Sequence, residues 1–128
     1  MKIINNTSHE DSSVEKIAAW VSEDLGVSPD TIEIVEREDV VGYGGSFRSW
    51  DNRVLALIAP ADYFPKDHDR GLPGGPPVIH VDNWQTALVG ILAHEITHAK
   101  QRLCGKDFCE VEAEWAEYLL IDRWRSCL

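Results

Sequence analysis

From about Trp84 to Leu103 the chain is apolar at helical spacing, with Leu88, Leu92, Ile96, Ala99 and Leu103 along one stripe. Asp82 and Gln85 have the spacing of a capping box at its start, and Gly105 is a stop signal. A helix of this length dictates the core, because every other element has to be laid against it. Its second half contains His94-Glu95-Ile96-Thr97-His98. Histidines at this spacing lie one turn apart on one face, near enough to share a single Zn²⁺. Glu95 stands beside them, placed to take a proton from a water that such an ion would activate. With 5 His in 128 residues the pattern arises by chance about once or twice in a hundred chains of this composition. Its position inside a helix, after a strand and before a second helix, argues for a metal site.

The rest of the chain divides into short elements. Ser12 and Glu15 have capping-box spacing, and Val14, Ile17, Ala18, Val21 and Leu25 recur helically until Gly26. Thr31 to Arg37 is β-branched and alternating, so it is expected as a strand. A second strand from about Tyr43 to Trp50 turns at Asp51-Asn52 into a third, Arg53 to Ala59. Pro60 to Pro77, rich in Pro, Gly and Asp, predicts a long solvated loop, and Val78 to Val81 a short strand. After Gly105, Asp107 is a fresh N-cap for a closing helix from Phe108 to about Arg125. Val111, Trp115 and Leu119, with Ala116, Leu120 and Trp124, mark its expected packing surface. The expected fold is α+β: an N-terminal helix, a small sheet of three to four strands, and two C-terminal helices joined by a tight turn.

The length suits one domain spanning residues 1–128. A net charge of −10 with no cluster of Lys and Arg excludes nucleic acid and anionic membrane as partners. No apolar run reaches bilayer length and no signal-peptide core is present, so a cytoplasmic location is expected. Cys104, Cys109 and Cys127 are odd in number, and free thiols are expected.

A catalytic zinc needs a third protein ligand and an open position for water. Glu110, Glu114 and Glu117 share one face of the closing helix, whereas Glu112 points elsewhere. Like charges on one face repel, and a cation beside them offsets that repulsion. Here the chain resembles the gluzincin metallopeptidases, whose third zinc ligand is a glutamate on a later helix. Glu110-Val111-Glu112-Ala113-Glu114 is similar to the Glu-x-x-Ala-Asp pattern of several such families. The resemblance covers residues 78 to 121 and departs from the pattern in having Glu for Asp and a short spacing from His98. It implies a minimal zincin-like domain in which Glu110 is the ligand and Glu114 orients a zinc-bound histidine. Two features speak for Glu114 instead: Asp107 and Glu110 have capping-box spacing, and a tight hairpin sets position 114 more nearly level with the histidines. Glu110 is the expected third ligand and Glu114 the alternative.

The function these parts predict is zinc-dependent hydrolysis of peptide or protein substrates, with Glu95 as general base and then acid. The alternative is a silent zincin-fold binding or regulatory protein, and a deformylase-like hydrolase ranks below both because no Cys precedes His94. His80 and Tyr118 are the candidates to stabilise the transition state, with Tyr43 and His68 behind them. The Val78 to Val81 strand is the expected docking edge for an extended peptide. Asp62, Asp67, His68 and Asp69 fit no metal-loop spacing and are expected in solvent. His9 is expected to have no partner, and the Gly42 to Gly45 run to serve a turn.

Overall fold

The structure, a computed structural model, describes residues 1–38 and 44–128. The elements are β1 (Lys2–Asn6), α1 (Asp11–Leu25), β2 (Thr31–Glu36), β3 (Gly44–Arg48), β4 (Arg53–Ile58), a 3₁₀ turn (Ala61–Tyr63), β5 (Lys66–His68), β6 (Ile79–Val81), α2 (Trp84–Leu103) and α3 (Glu110–Ser126). Three helices, a four-stranded mixed sheet and a separate two-stranded ribbon make an α+β fold.

The sheet order is β1-β2-β4-β3. β1, β2 and β4 run parallel, and β3 pairs antiparallel with β4. Parallel neighbours need a crossover, and α1 provides the one between β1 and β2. The β3–β4 hairpin turns where expected, with Asn52 at φ 50°, a left-handed conformation that asparagine tolerates. The fourth strand is not the expected one. Val78 to Val81 contributes β6, which pairs only with β5 among the described residues, and the main sheet is completed by β1. Lys2-Ile3-Ile4-Asn5-Asn6 is too short and too polar at its ends to announce itself. It becomes a strand because β2 offers it a parallel edge, Ile3 beside Ile32.

α2 is the centre of the molecule, in contact with α1, α3, β3, β4 and β6. Leu88, Ile91, Leu92 and Ile96 are all at most 1% exposed, and each burial stabilises by about 1.5–3 kcal/mol. The helix is capped one residue later than expected, by Asn83, whose Oδ1 accepts from Thr86 N–H at 2.9 Å. Leu103 is 75% exposed rather than buried, since the last turn outruns the core. α1 buries Val14, Ile17, Ala18 and Val21 and ends at Gly26 (φ 72°), but the Ser12–Glu15 box does not form. The cap lies two residues earlier, at Glu10, and the helix begins at Asp11. Trp20 and Trp124 meet edge to face at 5.3 Å, tying α1 to α3.

α3 starts at Glu110, after Cys109, with no side-chain cap. The expected Asp107–Glu110 box is therefore not made, and the Glu110 carboxylate is used elsewhere. Its packed face is also rotated from expectation: Trp115 and Leu119 lie partly exposed, while Ala113, Glu114, Glu117, Leu120, Ile121 and Trp124 are buried. Two buried carboxylates on a packing face need partners.

The expected long loop is partly ordered structure. β5 pairs antiparallel with β6, setting His68 opposite Ile79, and Trp115 Nε1–H donates to Gly74 O at 2.8 Å, fastening the loop to α3. His9 does have partners: it stacks on Trp84 at 3.6 Å and lies 3.6 Å from Glu36. The three cysteines are free and exposed. No helix among the described residues is long and apolar enough to cross a membrane.

Candidate metal centre

α2 and α3 pack as a hairpin, bringing the two histidines against the acidic face of α3. His94, Glu95 and His98 present ligand atoms within 4.8 Å of one another. Both imidazoles turn Nε2 towards Glu110, whose carboxylate lies 2.5 Å from His98 Nε2 and 3.4 Å from His94 Nε2. Each Nδ1 faces an acceptor on the other side. His94 Nδ1 is 3.2 Å from Glu117 Oε1, and His98 Nδ1 is 2.8 Å from Gln101 Oε1. Metal-ligating histidines are held this way, one nitrogen to the ion and the other to a fixed acceptor. Two imidazoles and one carboxylate converging on a cleft are a donor set that could hold a Zn²⁺ ion with a position to spare. The residues fit the ion.

The positions of Glu110 and Glu114 differ in a way that bears on the third ligand. Glu110 faces the Nε2 side of both rings. Glu114 lies on the Nδ1 side of His94, 3.5 Å away, and is engaged by other groups. The outer acid nearest His94 is Glu117, at 2% exposure, a role not expected of it. That the three glutamates share a face was visible in their spacing; which of them backs the ring depends on the rotation of α3.

The positive groups come from the segment expected to be solvated loop. Arg70 Nη1 donates to Glu110 Oε2 at 2.8 Å and to Glu114 Oε1 at 3.1 Å. His68 Nε2 lies 3.5 Å from Glu117 and 3.7 Å from Glu114, and these three form a second group with ligand atoms within 4.8 Å. The Glu114 carboxylate beside it, opposed by burial, raises the His68 imidazole above its ordinary value. Burial pushes the other way on Glu110 and Glu114, yet Arg70 and the histidines hold both carboxyls below the ordinary range. Burial lowers His94, but the Glu117 hydrogen bond and the surrounding carboxylates outweigh it and the net shift is upward. Glu95 is the exception among the acids. Burial lifts its carboxyl above the ordinary range against the pull of His94 and His98.

These groups line a cleft of about 580 Å³, within the size range of small-molecule sites. Its opposite wall is β3, the outer strand of the sheet, through Gly44, Gly45 and Phe47. A Cβ on Gly45 would stand 2.5 Å from Leu55 O and 3.0 Å from Glu95 Cγ, so only glycine lets β3 approach this closely. Of the Gly42 to Gly45 run expected to serve a turn, Gly44 and Gly45 lie in strand β3, and Gly42 is outside the described residues. Phe108 closes one end, its ring 5.3 Å from His98 and 6.1 Å from Phe47.

Two expected stabilisers lie elsewhere. His80 is on the exposed face of β6, bonded to Asp67 at 2.8 Å, and does not line the cleft. Tyr118 packs on Trp115 at 5.7 Å and does not line it either. His68 does line it, and Tyr43 lies outside the described residues. Asp67 serves His80 and Asp69 accepts from Gly71 N–H, so neither joins His68 in a metal loop. Comparison of the chain with protein-family models, with curated proteins and with solved structures finds no match.

Proposed function

We propose that this chain is a zinc-dependent peptidase of gluzincin type in a minimal zincin-like fold, hydrolysing peptide bonds in the cleft between β3 and the α2–α3 hairpin. The observation that carries the reading is the shared orientation of His94, His98 and Glu110, with both Nε2 atoms towards one carboxylate and both Nδ1 atoms held from behind. His94, His98 and Glu110 would hold Zn²⁺, which when bound supplies Lewis acidity to a water and to a carbonyl oxygen.

Glu95 is the general base. Its carboxylate lines the cleft beside both histidines, and a carboxyl raised by burial is better matched to proton transfer near neutral pH than an ordinary one. The same group returns the proton to the leaving amine. His68 and Arg70 are the cations of the cleft wall, suited to the negative charge that develops on the carbonyl oxygen. An extended peptide is better served by β3 than by the β6 edge expected from sequence. β3 is an edge strand of the sheet among the described residues, runs beside Glu95, and carries glycines that leave its backbone reachable.

The test is Glu95→Gln in zinc-loaded protein, read on an unfolded protein and on a mixed peptide library. Cleavage falls by about 10²–10⁴-fold while zinc content and melting temperature hold. Undiminished cleavage overturns the mechanism. A wild type that holds zinc and cleaves nothing points to the silent binding protein instead.

A further inference from the structure

Gln101 lies one turn beyond His98 on α2 and is 1% exposed, a polar side chain sealed into the hairpin. Its amide is used at both ends. Oε1 accepts from Cys109 N–H at 3.1 Å, and Nε2 donates to Cys109 O at 3.1 Å and to Glu112 Oε1 at 3.0 Å. A backbone N–H only donates and a backbone carbonyl only accepts, so these bonds fix which end of the amide is oxygen. A flipped amide would set its NH₂ against an N–H and its oxygen against a carbonyl and a carboxylate.

That assignment decides the state of the neighbouring ring. His98 Nδ1 is 2.8 Å from Gln101 Oε1, and an oxygen already serving as acceptor requires Nδ1 to be the donor. Nδ1 therefore carries a proton, and Nε2, 2.5 Å from Glu110 Oε1, is the nitrogen on the cleft side. Cys109 is also the residue before Glu110, where α3 begins. One side chain therefore fastens the ring of one proposed ligand and the backbone that carries another. We propose that Gln101 is a positioning residue, which sets the His98 tautomer and holds Glu110 in register with it. This inference rests on the zinc reading above.

The test compares Gln101→Met with Glu112→Ala. Methionine removes every polar contact of the amide. Glu112→Ala removes one donor bond from Gln101 Nε2 and leaves the bonds to His98 and Cys109 in place. Zinc affinity is measured by chelator competition, and the His98 ring by long-range ¹H–¹⁵N correlation. Gln101→Met weakens zinc by about 10–100-fold, and Glu112→Ala stays within about threefold of wild type. A role limited to bracing the turn would weaken both variants alike, and that result overturns the proposal. So does a wild-type His98 with a bare Nδ1, which can be read even if Gln101→Met does not fold. Equal zinc binding by wild type and Gln101→Met overturns this inference and leaves the metal site standing. No zinc binding by wild type overturns the site itself.

Discussion

Gly45→Ala is the sharpest test of how β3 and α2 build the cleft. Gly45 does not have a left-handed φ, so alanine can adopt its backbone conformation, and the cost is one of space. The added Cβ would lie 2.5 Å from Leu55 O, 3.0 Å from Glu95 Cγ and 3.1 Å from Ile91 Cγ2, where ordinary contact begins at 3.4 Å. Relief at Leu55 O alone needs about 0.9 Å, the difference between 3.4 and 2.5. The obstacle is the backbone of β4, which is held between β2 and β3, so β3 itself must withdraw. Overpacking of this kind costs about 1–3 kcal/mol, and alanine's lower unfolded-state entropy offsets about 0.4–1 of it. The net loss is about 1–2 kcal/mol, or roughly 3–8 °C in Tm for a domain of this size. Urea unfolding gives the stability, and the retreat of β3 from Glu95 also lowers the proposed zinc-dependent cleavage. Gly44→Ala is the control: among the described residues nothing lies within 4 Å of its Cβ, so its stability stays within about 0.5 kcal/mol of wild type. If Gly45→Ala is as stable as Gly44→Ala, the close approach of β3 to α2 is refuted.

Three further outcomes follow from the same geometry. Zinc at about one hundred times its Kd stabilises the fold by about 2.7 kcal/mol, roughly 10 °C in Tm, reversed by chelator; a melting curve indifferent to zinc removes the site. Glu110→Gln weakens zinc by more than about 100-fold and Glu114→Gln by about 10–100-fold in competition titrations; the reverse order makes Glu114 the ligand. In metal-free protein the His68–Glu114 contact contributes most between pH 4.5 and 6.5. The raised His68 contributes fully below its unfolded value of 6.5 and loses this as pH rises through its folded value, while the lowered Glu114 contributes fully above 4.5 and loses it as pH falls. The Tm difference between wild type and His68→Asn therefore peaks in that window, and a flat profile refutes the pairing.

Much of this molecule was legible in its local patterns. Helical periodicity located α1, α2 and α3, β-branched alternation located β2, and Asp51-Asn52 marked the β3–β4 turn, because each signal is carried by residues adjacent in sequence. The pair His94 and His98 is of the same kind: an i, i+4 spacing on a helix places both rings on one face wherever that helix packs. What the spacing left open was lateral. β1 is a strand only because β2 lies beside it, and β6 left the main sheet because β5, inside an apparent loop, pairs with it. Glu110, Glu114 and Glu117 are equivalent on a bare helix. The rotation of α3 against α2 made Glu110 face the Nε2 atoms, set Glu110 and Glu114 against Arg70, and put Glu117 behind His94. His68 and Arg70 entered the cleft by way of a ribbon whose register no local pattern specifies, and Gln101 acquired its role from a turn eight residues on. The sequence alone determined two histidines and an acid on one helix. Packing of α3, β3 and the β5–β6 ribbon around that helix decided which groups surround them, since side-chain partners across elements depend on rotation and register that only the folded chain defines.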